Sequence, residues 1–209
     1  MKEYRLNIPL FIAIIGVISA IISTCFFLGT TDMKQEEASK IIMNYSVITI
    51  PLAGIWFFFE RYGWRTLLFS LLRNPLNIPP NISGRWEGEL KRNGEFKISE
   101  FVIEIKQTMT KIQVYTYSKA GKSESLVDDI VTDKMKDDFR LCYLWEGTGG
   151  KVLGVEAKGG RFKGYTILRL ITNGSERKLV GEYFTDRHPK QTKGTIEVKW
   201  KTKKLKCEF

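Results

Sequence analysis

The chain has 209 residues, of which 43% are hydrophobic, and a net charge of +10; this length allows one soluble domain and a membrane anchor but excludes several domains. The chain contains 33 basic and 23 acidic residues, of which 7 basic and 5 acidic residues lie before residue 74. Residues 74–209 therefore carry a net charge of +8, which favours an anionic partner. The cysteines Cys25, Cys142 and Cys207 are too scattered for a disulfide framework or a metal site, which indicates free thiols in a reducing compartment.

Two apolar segments near the N-terminus predict transmembrane helices. Residues 8–29 carry no charge, and residues 41–59 contain one strongly polar side chain, Asn44. The first segment exceeds the roughly 7–15 apolar residues of a signal peptide, and no A-x-A-like cleavage site follows it. We therefore expect a retained anchor over residues 1–73, rather than a cleaved signal or a buried soluble hairpin.

The charges around these two segments predict their orientation. Two basic residues precede the first segment and three follow the second, whereas the connection between them is net acidic. Basic residues concentrate on the cytoplasmic side of membranes, so we expect both termini in the cytoplasm. Residues 74–82, which include Asn74-Pro75 and Pro79-Pro80, are the predicted linker to a second domain.

From residue 83 onward, strand-forming runs alternate with turn signals. Asn93-Gly94 and Asn173-Gly174 are the strongest of these signals, because Asn-Gly favours the tight turn of a hairpin. Val152–Ala157 is a candidate for a further short strand. The eight main candidates are Arg85–Arg92, Phe96–Gln107, Lys111–Lys119, Ser123–Thr132, Asp138–Glu146, Arg161–Thr172, Arg177–Thr185 and Thr195–Lys201.

About eight sequential strands with short connections favour an antiparallel up-and-down β-barrel over residues 83–209, with a β-sandwich as the main alternative. Such a barrel can enclose one small ligand, as in lipocalins. Alternation predicts which side chains share a face. On the first strand Trp86, Gly88 and Leu90 share one face. Gly181, Tyr183 and Thr185 form another alternating set, and Glu104 faces outward.

The sequence offers no catalytic or metal-binding constellation. His188 is the single histidine and has no positioned partner for base catalysis. Asp128 and Asp129 are adjacent, so their side chains point to opposite faces of a strand. Gly147–Gly150 lacks the Lys-Ser/Thr pair of a P-loop. We therefore expect no enzyme activity, no metal and no cofactor.

This layout resembles the membrane effectors of bacterial CBASS (cyclic-oligonucleotide-based antiphage signalling), which combine two transmembrane helices with a β-strand-rich barrel. The resemblance covers nearly the whole chain. It is carried by the apolar pair 8–29 and 41–59 and by the segments SGRWEGEL (Ser83–Leu90) and GEYFTDRHPKQTKGTIEV (Gly181–Val198). The Gly84-x-Trp86 pattern is also similar to the first strand of lipocalins.

The resemblance implies a cytoplasmic barrel that binds a cyclic di- or oligonucleotide and oligomerises on binding. The transmembrane helices would then disrupt the bacterial inner membrane, killing or arresting the infected cell. No direct contact with DNA or RNA is expected. The alternative is a membrane-anchored, lipocalin-like carrier of a lipid or another small apolar ligand, which requires an apolar cavity and a domain on the outer side of the membrane.

A cyclic dinucleotide presents flat bases and phosphates, which suit aromatic faces and Arg, Lys, Ser or Thr side chains. Tyr183, Thr185 and Arg187 provide all three types at period 2. We expect Tyr183 to stack, Thr185 to donate a hydrogen bond and Arg187 to pair with a phosphate. The other candidates are Thr195, Tyr143, Trp145 and Tyr115, with Arg161 or Arg169 for the second phosphate. The competing interpretation is that the aromatic residues are core and the arginines face solvent.

Overall fold

The computed structural model describes residues 2–3, 14–19, 21, 50, 53–66, 78–92, 97–118, 121–133, 138–149, 161–186 and 191–208. The chain divides into two compact units. One unit contains Met1–Tyr4, Pro80–Gln107 and Lys111–Phe209, and the other contains Arg5–Pro79 and Thr108–Thr110.

The first unit is a closed β-barrel. Its strands are β1 (Lys2–Glu3), β2 (Gly84–Arg92), β3 (Lys97–Gln107), β4 (Ile112–Ser118), β5 (Gly121–Asp133), β6 (Asp138–Gly149), β7 (Arg161–Asn173), β8 (Glu176–Thr185) and β9 (Thr192–Thr202). From β2 to β9 each strand pairs antiparallel with the next, and β9 pairs with β2. The short β1 adds to β5. The eight-stranded up-and-down barrel is therefore confirmed, and the β-sandwich is not formed.

The predicted strands agree closely with the observed ones, because strong turn signals separate them. All eight are present, and their ends differ from the predicted ends by at most three residues. The Asn173-Gly174 turn between β7 and β8 forms as expected, with Gly174 at φ 59°, where a residue without a side chain is favoured. Asn93-Gly94 and the candidate strand Val152–Ala157 lie outside the described residues.

One end of the barrel has an apolar interior. This end is called the linker end, because Asn81–Ser83 lead into β2 there. Fully burying a large apolar side chain contributes about 1.5–3 kcal/mol, so this cluster is a main source of the barrel's stability. Its fully buried members include Trp86, Ile105, Val114, Leu168, Leu179 and Val198.

Hydrogen bonds also fix the linker end. Trp86 Nε1 donates to the Ile82 carbonyl oxygen at 3.0 Å. Gln107 Oε1 accepts from the Ile82 amide at 2.8 Å, and Gln107 Nε2 donates to the Pro80 carbonyl oxygen at 2.9 Å. The Arg177 guanidinium lies 5.4 Å from the centroid of the Trp86 ring. The chain is thus held where it enters the barrel.

The C-terminal segment covers Glu104 on the outer wall of the barrel. Glu104 faces outward as predicted, yet it is 1% exposed. Arg85 Nη1 donates to its carboxylate at 2.8 Å, and the amides of Lys206 and Cys207 donate to it at 2.8 and 3.0 Å. Burial alone would raise the pKa of Glu104, but these three donors outweigh it and lower the pKa. Backbone hydrogen bonds to this buried carboxylate therefore tie the C-terminal segment to the wall.

The second unit contains the described part of the predicted anchor except Lys2–Glu3, which form β1 of the first unit. Residues 14–19 and 53–61 are helical, and Gly63–Arg65 form a 3-10 helix. Its buried apolar residues are Trp64, Ile78 and Met109. Among the residues that the structure describes, no helix has the length and apolar character to cross a bilayer. The predicted spans over 8–29 and 41–59 extend outside those residues and stay predictions.

Candidate functional site

The other end of the barrel, called the distal end, has an interior of aromatic and hydroxyl-bearing side chains. Strands at this end are connected by 93–96, 119–120, 150–160 and 187–190, which lie outside the described residues. Because strand side chains alternate between faces, the register identifies the inward set. Its polar and aromatic members include Thr116, Ser123, Ser125, Trp145, Phe162, Thr166, Tyr183, Thr185 and Thr192.

Four of the predicted site residues share this inner face. Tyr143, Thr166 and Tyr183 are direct partners across β6, β7 and β8. Trp145 and Thr185 occupy the next inward positions of β6 and β8 toward the distal end. The structure therefore brings Tyr143, Trp145, Tyr183 and Thr185 together in two adjacent rows.

Thr166 connects two of these aromatic side chains. Trp145 Nε1 donates to Thr166 Oγ1 at 2.9 Å, and Tyr143 forms a side-chain hydrogen bond with the same residue. Burial raises the pKa of Tyr143, and the bond to Thr166 offsets this rise only in part. The phenol therefore stays neutral at physiological pH. The network fixes both rings without placing a charge among them.

Two glycines determine where the aromatic rings lie. A Cβ at Gly164 would lie 2.3 Å from the Trp145 indole, and a Cβ at Gly194 would lie 2.7 Å from the Tyr183 ring. A Cβ at Gly194 would also lie 2.0 Å from the Lys91 carbonyl oxygen. Real side chains do not approach so closely, so a larger residue at either position would displace a ring or the neighbouring backbone.

Pairs of hydroxyl groups line the same end. Thr185 Oγ1 and Thr192 Oγ1 lie 2.7 Å apart, and the Thr192 amide donates to Thr185 Oγ1 at 3.2 Å. Thr116 Oγ1 and Ser123 Oγ lie 2.5 Å apart. A hydroxyl both donates and accepts and rotates to suit its partner. These groups can therefore reorient toward phosphate oxygens or the edge of a base.

Arg92 is a candidate that the sequence predictions omit. It is the direct partner of Gly194, so it extends the inward series of Trp86 and Leu90 to the distal end of β2. Its side chain is partly buried. The same alternation in RWEGELKR that identifies Trp86 as inward identifies Arg92 as well. A guanidinium there can pair with an anionic group beside Tyr183.

The structure separates four of the remaining predicted residues from this face. Arg161 and Arg169 point outward, because each is an odd number of positions from the inward Thr166 on β7. Thr195 is exposed on the outer face of β9. Tyr115 lies on the outer face of β4, with Lys106 Nζ 4.8 Å from its ring centroid. Arg187 lies outside the described residues.

Asp128 adds a carboxylate to the inner face at the level of Tyr143, its direct partner. Ser125 Oγ donates to Asp128 Oδ2 at 2.6 Å, and burial raises the pKa of Asp128. Asp129 pairs with Cys142 on the outer face, so the prediction that the two aspartates face opposite sides is confirmed. Within the described ranges, no three His, Cys, Asp or Glu residues could hold a metal ion, and His188 lies outside those ranges.

Known proteins match this chain over most of its length. Residues 77–200 match a family model described as Cap15, cyclic dinucleotide receptor domain. CD-NTase-associated protein 15 from Staphylococcus schleiferi is 30% identical over 159 residues, which cover 76% of this chain and 78% of that relative. The family match spans Arg92, Tyr143, Trp145, Tyr183 and Thr185.

Proposed function

The chain belongs to the Cap15 cyclic dinucleotide receptor domain family, and from this premise we propose that it is a CBASS antiphage effector whose barrel binds a cyclic di- or oligonucleotide. The main supporting observation is the distal end of the barrel. Aromatic rings, hydroxyl groups and the Arg92 guanidinium share one inner face there, within the matched region. The receptor acts by binding rather than by catalysis.

In this proposal Tyr183 and Trp145 stack on the bases, and Thr185, Thr192 and Arg92 contact the phosphates. Stacking contributes about 1–3 kcal/mol per base, and a hydrogen bond to a charged group about 1.5–3 kcal/mol. Two stacked bases and two phosphate contacts therefore have the magnitude that micromolar binding requires, about 8 kcal/mol. Arg187 stays a predicted further phosphate ligand.

We also propose that the segments 8–29 and 41–59 are the membrane-active part, in the bacterial inner membrane with both termini cytoplasmic. Ligand binding would drive oligomerisation, and the clustered helices would disrupt the bilayer. Apolar side chains of the described helical residues support lipid contact, since Ile50, Phe57 and Phe58 are 71%, 63% and 55% exposed.

Dye release from vesicles tests both parts of the proposal. The full-length chain is reconstituted into vesicles that contain a self-quenched dye, and cyclic di- and trinucleotides are added one at a time, with linear dinucleotides as controls. We expect one cyclic nucleotide to bind and to release the dye. Binding without release would refute the membrane step alone. If the folded protein neither binds a cyclic nucleotide nor releases the dye, the receptor function is contradicted. If it binds a fatty acid instead, the lipid-carrier alternative is supported.

A further inference from the structure

A row of apolar side chains crosses the outer face of the barrel. Val127, Leu144, Tyr165 and Phe184 are direct partners from β5 to β8. Val127, Tyr165 and Phe184 are 64%, 41% and 43% exposed, and Leu126, in the β-bulge beside Val127, is 51% exposed. The outer face of a barrel in water is normally polar, and a contiguous exposed apolar patch marks an interaction site.

The charges beside this row are arranged so that the surface complements itself. Lys163 of β7 and Asp186, which follows β8, are neighbours on the distal side of Tyr165 and Phe184. Consider a second copy placed face to face by a two-fold axis that runs parallel to β7 and β8, midway between them. Tyr165 then faces Phe184 of the second copy, and Lys163 faces Asp186 of the second copy. Each contact occurs twice, as in any isologous interface.

Two other placements of a second copy are less favourable. A two-fold axis along the apolar row would place Glu182, on the linker side of Phe184, opposite Asp186 of the second copy. Like charges in direct opposition are destabilising. Pairing through strand edges is also unfavourable, because β9 pairs with β2 and the eight strands close. The axis parallel to the strands avoids both problems and turns the two linker ends in the same direction.

We propose that the outer face of β7 and β8 is a docking surface for a second copy of this chain. Its centre is the pair of contacts between Tyr165 and Phe184 of the two copies, and the Lys163–Asp186 pairs fix the orientation. The surface itself requires no ligand. The idea that it forms the oligomer of the active effector rests on the proposed function, since ligand binding would increase its occupancy.

Cross-linking of two differently tagged full-length chains tests the surface directly. One chain carries Tyr165→Cys and the other Phe184→Cys, with Cys25, Cys142 and Cys207 replaced by serine or alanine. A bismaleimide that spans about 10 Å matches the separation of packed sheets. We expect a mixed dimer to form at least tenfold faster than in a control mixture of two Gln113→Cys chains. Gln113 lies on the outer face of β4, which is three strands from β7 and four from β8 around the closed barrel.

A charge substitution provides an independent readout. Tyr165→Lys should weaken self-association at least tenfold in light scattering, and Gln113→Lys should not. Both variants should keep the wild-type intrinsic affinity for cyclic nucleotides when they are titrated at a concentration where the chain is monomeric. Equal cross-linking by the 165/184 and 113/113 mixtures, with and without nucleotide, would overturn the proposed surface. Cross-linking without nucleotide tests the surface independently of ligand binding. A failure of the proposed surface is therefore distinguishable from a failure of the receptor function.

Discussion

The two ends of the barrel interior are built from the same strands but contain different chemistry. At the linker end, Trp86, Leu168 and Leu179 are fully buried among other apolar side chains. At the distal end, the corresponding inward positions hold Tyr183 and Thr185, with hydroxyl groups and aromatic rings around them. Apolar burial stabilises a fold without specificity, whereas polar groups on an inner face favour one kind of ligand.

We therefore expect the linker end to maintain the barrel and the distal end to bind the proposed ligand. Substitutions at the linker end should lower the free energy of unfolding and leave the intrinsic affinity for the ligand intact. Substitutions at the distal end should lower that affinity and leave the free energy of unfolding nearly unchanged.

The largest effect is expected for Trp86→Ala at the linker end. Loss of a fully buried tryptophan leaves a cavity and removes the hydrogen bond to Ile82, which should lower the free energy of unfolding by about 3–5 kcal/mol. Denaturation of the full-length chain in detergent measures the change. If Trp86→Ala does not fold, Trp86→Phe serves as the second variant. It should be less stable than wild type, and its affinity for the nucleotide should stay within twofold of wild type. A large loss of affinity in folded Trp86→Phe would contradict the separation.

The next effect concerns Glu104, on the outer wall near the linker end. Glu104→Gln removes one of the two carboxylates that pair with the buried Arg85, whose ion pair with Glu87 remains, and should cost about 1.5–3 kcal/mol. The lowered pKa of Glu104 also predicts a pH dependence. The carboxylate's contribution is fully present above its ordinary value of 4.5, and it is lost as the pH falls through the lower folded value. Wild-type stability should therefore fall in that acidic range more steeply than that of Glu104→Gln. Parallel pH profiles would refute this role.

At the distal end, Arg92→Gln should weaken ligand binding by about tenfold to a hundredfold, because a charge-assisted hydrogen bond to phosphate is lost. The matched control is Lys91→Gln, which removes the same charge from the neighbouring, exposed position on the outer face. Calorimetric titrations of both variants measure the difference. Both should stay within about 0.5 kcal/mol of wild-type stability. Equal affinities in the two variants would exclude Arg92 from the site.

The smallest effect is expected for the double variant Thr185→Val/Thr192→Val. Replacing both hydroxyl partners by groups of the same shape is nearly neutral for stability, but the Thr192 amide also loses its Thr185 acceptor, so the free energy of unfolding should fall by about 1 kcal/mol. The ligand, however, loses its hydroxyl contacts, so its affinity should fall by up to about tenfold. Thermal unfolding and calorimetry on the same samples separate the two effects. A drop in stability with unchanged affinity would assign the pair a structural role.

The sequence predicts the barrel well because its signals are local. Turn dipeptides such as Asn173-Gly174 and strict alternation within strands determine where strands begin, end and point. For that reason the shared face of Trp86, Gly88 and Leu90 and the outward side of Glu104 follow from the sequence. The burial of Glu104 does not, because it depends on Lys206 and Cys207, which are more than a hundred positions away.

The site is only partly predictable for the same reason. Tyr183 and Thr185 lie on one strand, so alternation places them together. The prediction of Arg161 and Arg169 as phosphate ligands rests on their charge alone. Each lies an odd number of positions from the inward Thr166 on β7, so both face outward. Their relation to residues on other strands depends on the register between strands, and the sequence alone does not determine that register. The inward position of Arg92 follows from alternation when the set of Trp86, Gly88 and Leu90 is extended to the end of β2.

The most direct test of the central claim is calorimetric titration of the full-length protein, in lipid nanodiscs, with a panel of cyclic di- and trinucleotides. The account predicts micromolar or tighter binding of one of them, weakened at least tenfold by Tyr183→Leu and unchanged by Tyr117→Leu on the outer face of β4. Absence of binding across the panel by a folded protein, or equal affinities for the two variants, would contradict a receptor site at the distal end of the barrel.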